Sequence, residues 1–214
     1  MSESDAPFSQ FKDIVQSEEE LRGLIGPTFP PAAQKVIHHI DEIAAAYIAN
    51  ATFIVVATSD GDGQVEISPK GDPAGFVKVL DDTHIAIPDR PGNRRLDTFH
   101  NLFQNPHLAV IFLVPGTGET LRVYGEARLV RDPDLLEQMA VQGRAPLVAT
   151  VLHVERVMIH CPKCIARANL WGTPADTAAD LPHIGQVMAV HAKLTGTPEE
   201  QFKTAEDAGM PVMY

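Results

Sequence analysis

The 214-residue chain carries a formal net charge of −11, with 44% hydrophobic and 21% charged residues. Such a length suits one large domain, or two small ones, and buries enough surface to hold a core without disulfides or metals. A surface this acidic repels phosphate in the mean, which excludes nucleic acid and anionic membranes as partners of the whole molecule and leaves any anion site to a local basic cluster.

The segment Met1–Gln10 is polar, carries Glu3 and Asp5, and has neither the basic start nor the apolar run of a signal peptide. No apolar stretch approaches the roughly 20 residues of a membrane helix. Two cysteines make no disulfide framework, and a reducing, cytoplasmic setting is expected. The expected organisation is a single domain over 1–214, with an N-terminal helical segment at about 11–50 and a C-terminal helical tail at about 181–214.

Within the first segment Val36, Ile37, Ile40, Ile43, Ala44, Tyr47 and Ile48 recur at helical spacing, and Pro30-Pro31 stands ahead of them as a start signal. From Thr52 the pattern changes to strands. Thr52–Thr58 and Gln64–Ser68 flank Asp60-Gly61-Asp62-Gly63, a hairpin turn. Phe76–Val79 and Thr83–Ile87 flank Asp81-Asp82 as a second hairpin. Arg94–Phe103 reads as a helix. His107–Val114 is a continuous apolar run, the mark of a strand buried on both faces. After the turn Pro115–Gly118, Thr120–Val130 alternates apolar and polar residues. Pro133–Val141 reads as a helix capped by Asp132, and Val151–His160 as the last strand. Short strands with few helical crossovers predict a mainly β, α+β fold built on an antiparallel barrel.

The chemistry concentrates in Ile87–Pro106, IPDRPGNRRLDTFHNLFQNP. A strand ends, a Pro-Gly turn follows, and a helix is expected to open at Asn93 with Arg94 and Arg95 in its first turn. Unpaired N–H groups and the dipole make such a terminus an anion site, and guanidinium forks fit phosphate. Ser68 and Lys70, at the end of a preceding strand, would add a hydroxyl and a charge. Exposed arginines paired with nearby acids explain the same residues without a ligand.

Four blocks then carry a resemblance: ISPKGDPAGFV (67–77), IAIPDRPGNRRLDTFHNLFQNP (85–106), VIFLVPGTGETLRVYGEARLV (110–130) and HCPKCIARANLW (160–171). In this order they resemble the pyridoxamine 5′-phosphate oxidase-like FMN-binding split-barrel family. The resemblance implies a six-stranded antiparallel split barrel, a homodimer, and FMN in grooves between subunits. Carried over by position, the flavin contacts are Glu66, Ile67, Ser68 and Lys70 on one strand. Pro88 and Asp89 lie along the ring edge, and Asn93 precedes the phosphate pair Arg94 and Arg95. Arg122 and Trp171 are further contacts, the latter from the second subunit. The chain departs from the oxidases proper: VEISPK (65–70) lacks their strand arginine, and the tail lacks their Arg-x-x-Arg segment. Pyridoxamine phosphate is therefore not the expected substrate.

Trp171 has a second reading as a packing or interface anchor, and Arg122 one as an ion-pair partner of Glu126. Arg167, four residues before Trp171, would share a helix face with it. Cys161-Pro162-Lys163-Cys164 reads as inert thiols, a redox pair, or a zinc site joined by His153 and His160. No catalytic acid, base or nucleophile is identified. The functional expectation is an FMN-dependent oxidoreductase acting with a small-molecule substrate or electron donor. The alternatives are a non-catalytic flavin-binding sensor, or a barrel holding a deazaflavin or haem.

Overall fold

The computed structural model describes residues 7–173, 181–182, 184–193, 196–197, 200 and 203. The chain divides into two compact units, Met1–Val36 and Ile37–Tyr214.

The first unit holds α1 (Glu18–Ile25) and α2 (Pro30–Gln34). Ser17 caps α1 by accepting from the Glu20 N–H, while the Glu20 carboxylate accepts from the Gln16 N–H at 2.8 Å. This reciprocal arrangement satisfies donors that a helix start leaves unpaired.

In the second unit α3 (Glu42–Asn50) precedes the sheet, with Asp41 as its N-cap accepting from the Ala44 N–H. The apolar stripe expected to run unbroken through Val36–Ile48 is interrupted before α3. Ile37 forms a two-bond bridge with Val157, and the Ile40 N–H donates to the Asp82 carbonyl at 2.7 Å. Backbone pairing to residues distant in the sequence takes the place of the helix there. Ile40, Ala44 and Ile48 keep the i, i+4 spacing and are buried, whereas Ile43 is 61% exposed.

Seven strands follow: β1 (Phe53–Ser59), β2 (Val65–Gly71), β3 (Lys78–Val79), β4 (His84–Pro88), β5 (His107–Leu113), β6 (Thr120–Val130) and β7 (Ala149–His160). They form one sheet in the order β2-β1-β5-β6-β7-β4-β3, with every neighbouring pair antiparallel. The resemblance implies six strands; the seventh among the described residues is the two-residue β3, the short remnant of the strand expected at Phe76–Val79. Helices α4 (Asp97–Gln104) and α5 (Pro133–Gln138) flank the sheet. Asp132 caps α5 as its sequence predicts.

One face of the sheet closes on the core. Ile54 and Val56 of β1, Phe112 of β5, and Leu121 and Val123 of β6 are essentially inaccessible, and Ile48 of α3 joins them. β5 alternates exposed or half-buried with buried residues, so it is covered on one face and not on both. An edge-to-centre sheet with one packed face produces that alternation.

β7 is followed by α6 (Lys163–Ala168) and α7 (Ile184–His191). The C-terminal helical tail expected at about 181–214 falls mostly outside the described residues, apart from α7. Among the described residues, no helix is long and apolar enough to cross a membrane.

Candidate functional site

Among the described residues β2 is an edge strand that pairs only with β1. Pro69, which has no N–H to donate, is accommodated there because an edge strand has a free side. The strand's period of two divides its residues cleanly. Glu66, Ser68 and Lys70 lie opposite the buried Thr58, Val56 and Ile54 and are themselves half-buried. Val65, Ile67, Pro69 and Gly71 face the other way and are exposed.

The β4–α4 connection approaches this inward face. β4 ends at the buried Pro88, and the Asp89 N–H donates to the Val148 carbonyl at 3.0 Å. Burial pulls the Lys70 ammonium below its ordinary value, and the Asp89 carboxylate opposes that shift. Burial pushes Asp89 up, against the pull of Lys70 and Arg90. Lys70 and Asp89 therefore attract one another where both are partly desolvated. Among the described residues Lys70 makes no hydrogen bond or ion pair within bonding distance.

Arg94 and Arg95 were expected in the first turn of a helix. They lie instead in the connection before it, because Arg94 and Leu96 both adopt left-handed backbone, φ 58° and 63°. The helix begins only at Asp97, with Leu96 as an N-cap that offers no side-chain bond. Asn93 Oδ1 accepts from the Arg95 N–H at 3.1 Å, which shapes the turn. The Arg95 guanidinium is exposed and donates to Asp97 at 2.6 Å. That bond raises its pKa first, and the charge of Glu66 adds to it. Arg95 therefore lies in the field of the inward face of β2.

Arg90, from the same basic run, has a different fate. Its Nε donates to Asp72 Oδ2 at 2.6 Å and its Nη2 to the Met139 carbonyl at 2.9 Å. The Asp72 side chain is fully buried and that of Arg90 is 15% exposed. This pair ties the end of β2 to the end of β4 and to the residue after α5, beside a cleft of about 200 Å³ lined by residues 73–76, 78, 90 and 138–141. Sequence reasoning missed it. No local signal links Asp72 to Arg90, although Asp72 lies within the SPKGD run.

The structure sets Glu66, Ser68 and Lys70 on one face of β2, with Asp89 in the field of Lys70 and Arg95 in that of Glu66, and Pro88 and Asn93 lie in the same connection. It separates Ile67 and Arg122 from them. Arg122 lies on the outer face of β6, opposite Ile111 and Met158, and its Nε is buried without a hydrogen-bond partner among the described residues. Glu126 pairs with Arg128 at 3.5 Å and not with Arg122. Trp171 Nε1 donates to the Thr117 carbonyl at 2.7 Å, anchoring the segment after α6 to the β5–β6 turn. Asn169 ends α6 in left-handed backbone, so Arg167 and Trp171 do not share a helical face.

Cys161 and Cys164 are free and exposed. His153 cannot join them in a metal site, since eight residues of extended strand at about 3.3 Å each separate it from Cys161.

Among solved structures the chain is similar to HupZ of Group A Streptococcus at 24% identity, with a TM-score of 0.45, covering 55% of this chain and 91% of that one. It is similar to an FMN-binding protein of Syntrophomonas wolfei at 17% identity, with a TM-score of 0.41, covering 53% and 80%. It is also similar to HutZ, the haem storage protein of Vibrio cholerae, at 12% identity with a TM-score of 0.39, covering 57% and 94%. No curated protein matches the chain. The family description "Pyridoxamine 5′-phosphate oxidase" matches residues 40–161, from the residue before the Asp41 cap of α3 through the whole sheet to Cys161. That stretch is more than half of the chain, and the chain belongs to the pyridoxamine 5′-phosphate oxidase family.

Proposed function

We propose that this chain binds FMN and, as a homodimer, passes electrons between a small-molecule donor and an acceptor. Lys70 carries the reading. A half-buried ammonium on the inward face of an edge strand, opposed by a carboxylate and without a hydrogen bond among the described residues, suits an anionic ligand group. Ser68 on the same face offers a hydroxyl. Arg94 and Arg95 offer guanidinium donors from a connection whose left-handed residues hold it in a strained form. Glu66 and Asp89 supply acceptors beside these donors. Such a mixed set fits a ligand that combines a phosphate with hydroxyl and ring N–H groups, as FMN does.

When bound, the flavin supplies two-electron chemistry at its N5. The chain's own residues bind and orient: Lys70 and the arginines neutralise the phosphate, and the half-buried β2 face limits water around it. No catalytic acid or base is assigned.

The dimer rests on the outer face of the sheet. Phe53, Val65 and Ile67 are 41%, 70% and 63% exposed there, and the buried Arg122 Nε on the same face has no partner among the described residues. A second copy of the chain would cover these residues.

The absorbance spectrum of the purified protein, with mass spectrometry of the released ligand, tests the cofactor. Flavin bands and FMN near one per chain are expected. Haem, or no flavin after reconstitution, overturns the reading. Light scattering that gives a flavin-loaded monomer overturns the dimer. Turnover with a reduced nicotinamide and oxygen separates an oxidoreductase from a flavin-binding sensor.

A further inference from the structure

The register of four strands builds a row of metal-ligating side chains away from the Lys70 cluster. His84 of β4 pairs with His153 of β7, His153 with Glu126 of β6, and Glu126 with His107 of β5. Directly paired residues project to the same face, so this is one continuous line on the outer side of the sheet. A bulge interrupts β6 and β7 beside it: Tyr124 pairs with Arg156 and Gly125 with Val154, leaving Glu155 without a partner. Bulges re-aim the extra side chain, and here Glu155 joins the row. Its backbone is fixed by His38, whose Nδ1 donates to the Glu155 carbonyl at 2.7 Å. Gly125 permits the close approach, since a Cβ there would collide with the His153 carbonyl.

At the His84 end the imidazoles are already engaged. Asp81 Oδ1 lies 3.0 Å from His84 Nδ1, and His84 Nε2 lies 3.3 Å from His153 Nδ1. At the other end the ligand atoms of His107, Glu126 and Glu155 all lie within 4.8 Å of one another. Glu126 has only the 3.5 Å contact from Arg128, and the Glu155 carboxylate has no hydrogen bond or ion pair among the described residues. Two carboxylates and an imidazole this close offer three ligand atoms to one ion.

We infer that His107, Glu126 and Glu155 form a binding site for a divalent transition metal of the zinc class. One imidazole and two carboxylates are ordinary zinc ligands, and water would complete a tetrahedron. The imidazole favours such an ion over magnesium or calcium, which prefer all-oxygen shells. The site shares no residue with the Lys70 cluster and lies on the opposite face of the sheet from it.

The test uses tag-free, full-length protein carrying Cys161→Ser and Cys164→Ser, which removes the competing thiols. Calorimetric titration with Zn2+ should show about one ion per chain in the micromolar range or tighter, as one three-ligand site requires. Co2+ should give visible d–d absorption. His107→Gln and Glu155→Gln should each weaken Zn2+ binding by at least about tenfold, the scale on which even outer-shell partners act. Both side chains are exposed, so circular dichroism and metal-free thermal unfolding should match the parent. Should His107→Gln misfold, the isosteric Glu155→Gln decides alone. The inference is overturned if the cysteine-free parent takes up no Zn2+ in this range, or if the folded variants bind it like the parent.

Discussion

Arg90 and Arg95 lie five residues apart in one basic run, yet the fold treats them oppositely. Arg90 is nearly buried and spends its donors on Asp72 and the Met139 carbonyl. Arg95 is exposed, bonded to its near neighbour Asp97, and lies in the field of Glu66. Lys70 stands between these cases, half-buried and, among the described residues, without the bonds that satisfy a structural charge. The comparison teaches that a cluster of basic residues in sequence is not one site. Burial with bonds marks a structural charge, and burial without them marks a charge kept for a ligand.

Breaking the structural half of the comparison should give the largest effect. Arg90→Ala leaves the fully buried Asp72 carboxylate without its cation, and its Oδ1 already has no partner among the described residues. Losing one member of a buried pair costs about 3–5 kcal/mol. Denaturant unfolding should show that loss. A change below about 0.5 kcal/mol, the range of ordinary surface substitutions, would mean that Arg90 is no strut.

The ligand half should respond in affinity and not in folding. Lys70→Met removes a charge-assisted bond of about 1.5–3 kcal/mol, or roughly 10- to 150-fold in FMN affinity. Flavin fluorescence titration of the apo-protein measures it, with Arg131→Ala as a control outside the cluster. Parent-like binding by Lys70→Met would remove Lys70 from the site.

How far the sequence reveals this division follows from the range of each interaction. Turns are local, so Asp60–Gly63, Asp81-Asp82 and Pro115–Gly118 mark the three hairpins, and the Asp132 cap marks α5. Period-two alternation likewise tells Lys70 from Ile67 once β2 is recognised. Non-local pairing is not written in any window. The Ile37–Val157 bridge, the Asp72–Arg90 pair and the row from His84 to His107 each depend on register between distant strands. The late start of α4 escaped for another reason: left-handed backbone at Arg94 and Leu96 has no glycine or asparagine to announce it.

Arg95 should show a smaller effect than Lys70, because its phosphate contact must displace Asp97. Arg95→Ala should weaken FMN binding by about tenfold, near the lower bound for a charged bond. Asp97→Asn removes the competitor and should tighten binding, most visibly at low salt where exposed charges are least screened. If Asp97→Asn weakens binding instead, the Arg95–Asp97 pair itself shapes the site and Arg95 is not free to leave it.

The smallest effect is in the pH dependence of the apo-protein. Burial holds Lys70 below the ordinary 10.5, so folding disfavours its charged form. A group with a depressed folded pKa adds stability above its unfolded value and loses it as the pH falls through the folded value. The apo-protein should therefore gain stability as the pH climbs from the lowered Lys70 value toward 10.5. Asp89 acts at the other end. Its folded pKa is raised above 3.8, so its contribution is complete below 3.8 and is lost as the pH rises through the raised value. At neutral pH both charges are disfavoured, and their mutual attraction offsets part of that. Lys70→Met should flatten the alkaline rise, and FMN should flatten it in the parent, because a bound phosphate favours the protonated amine. Urea unfolding from pH 7 to 10.5, with and without FMN, reads this directly. A parent and Lys70→Met with the same alkaline slope would show that Lys70 is solvated like a surface lysine, and the division between ligand and structural charges would lose its middle case.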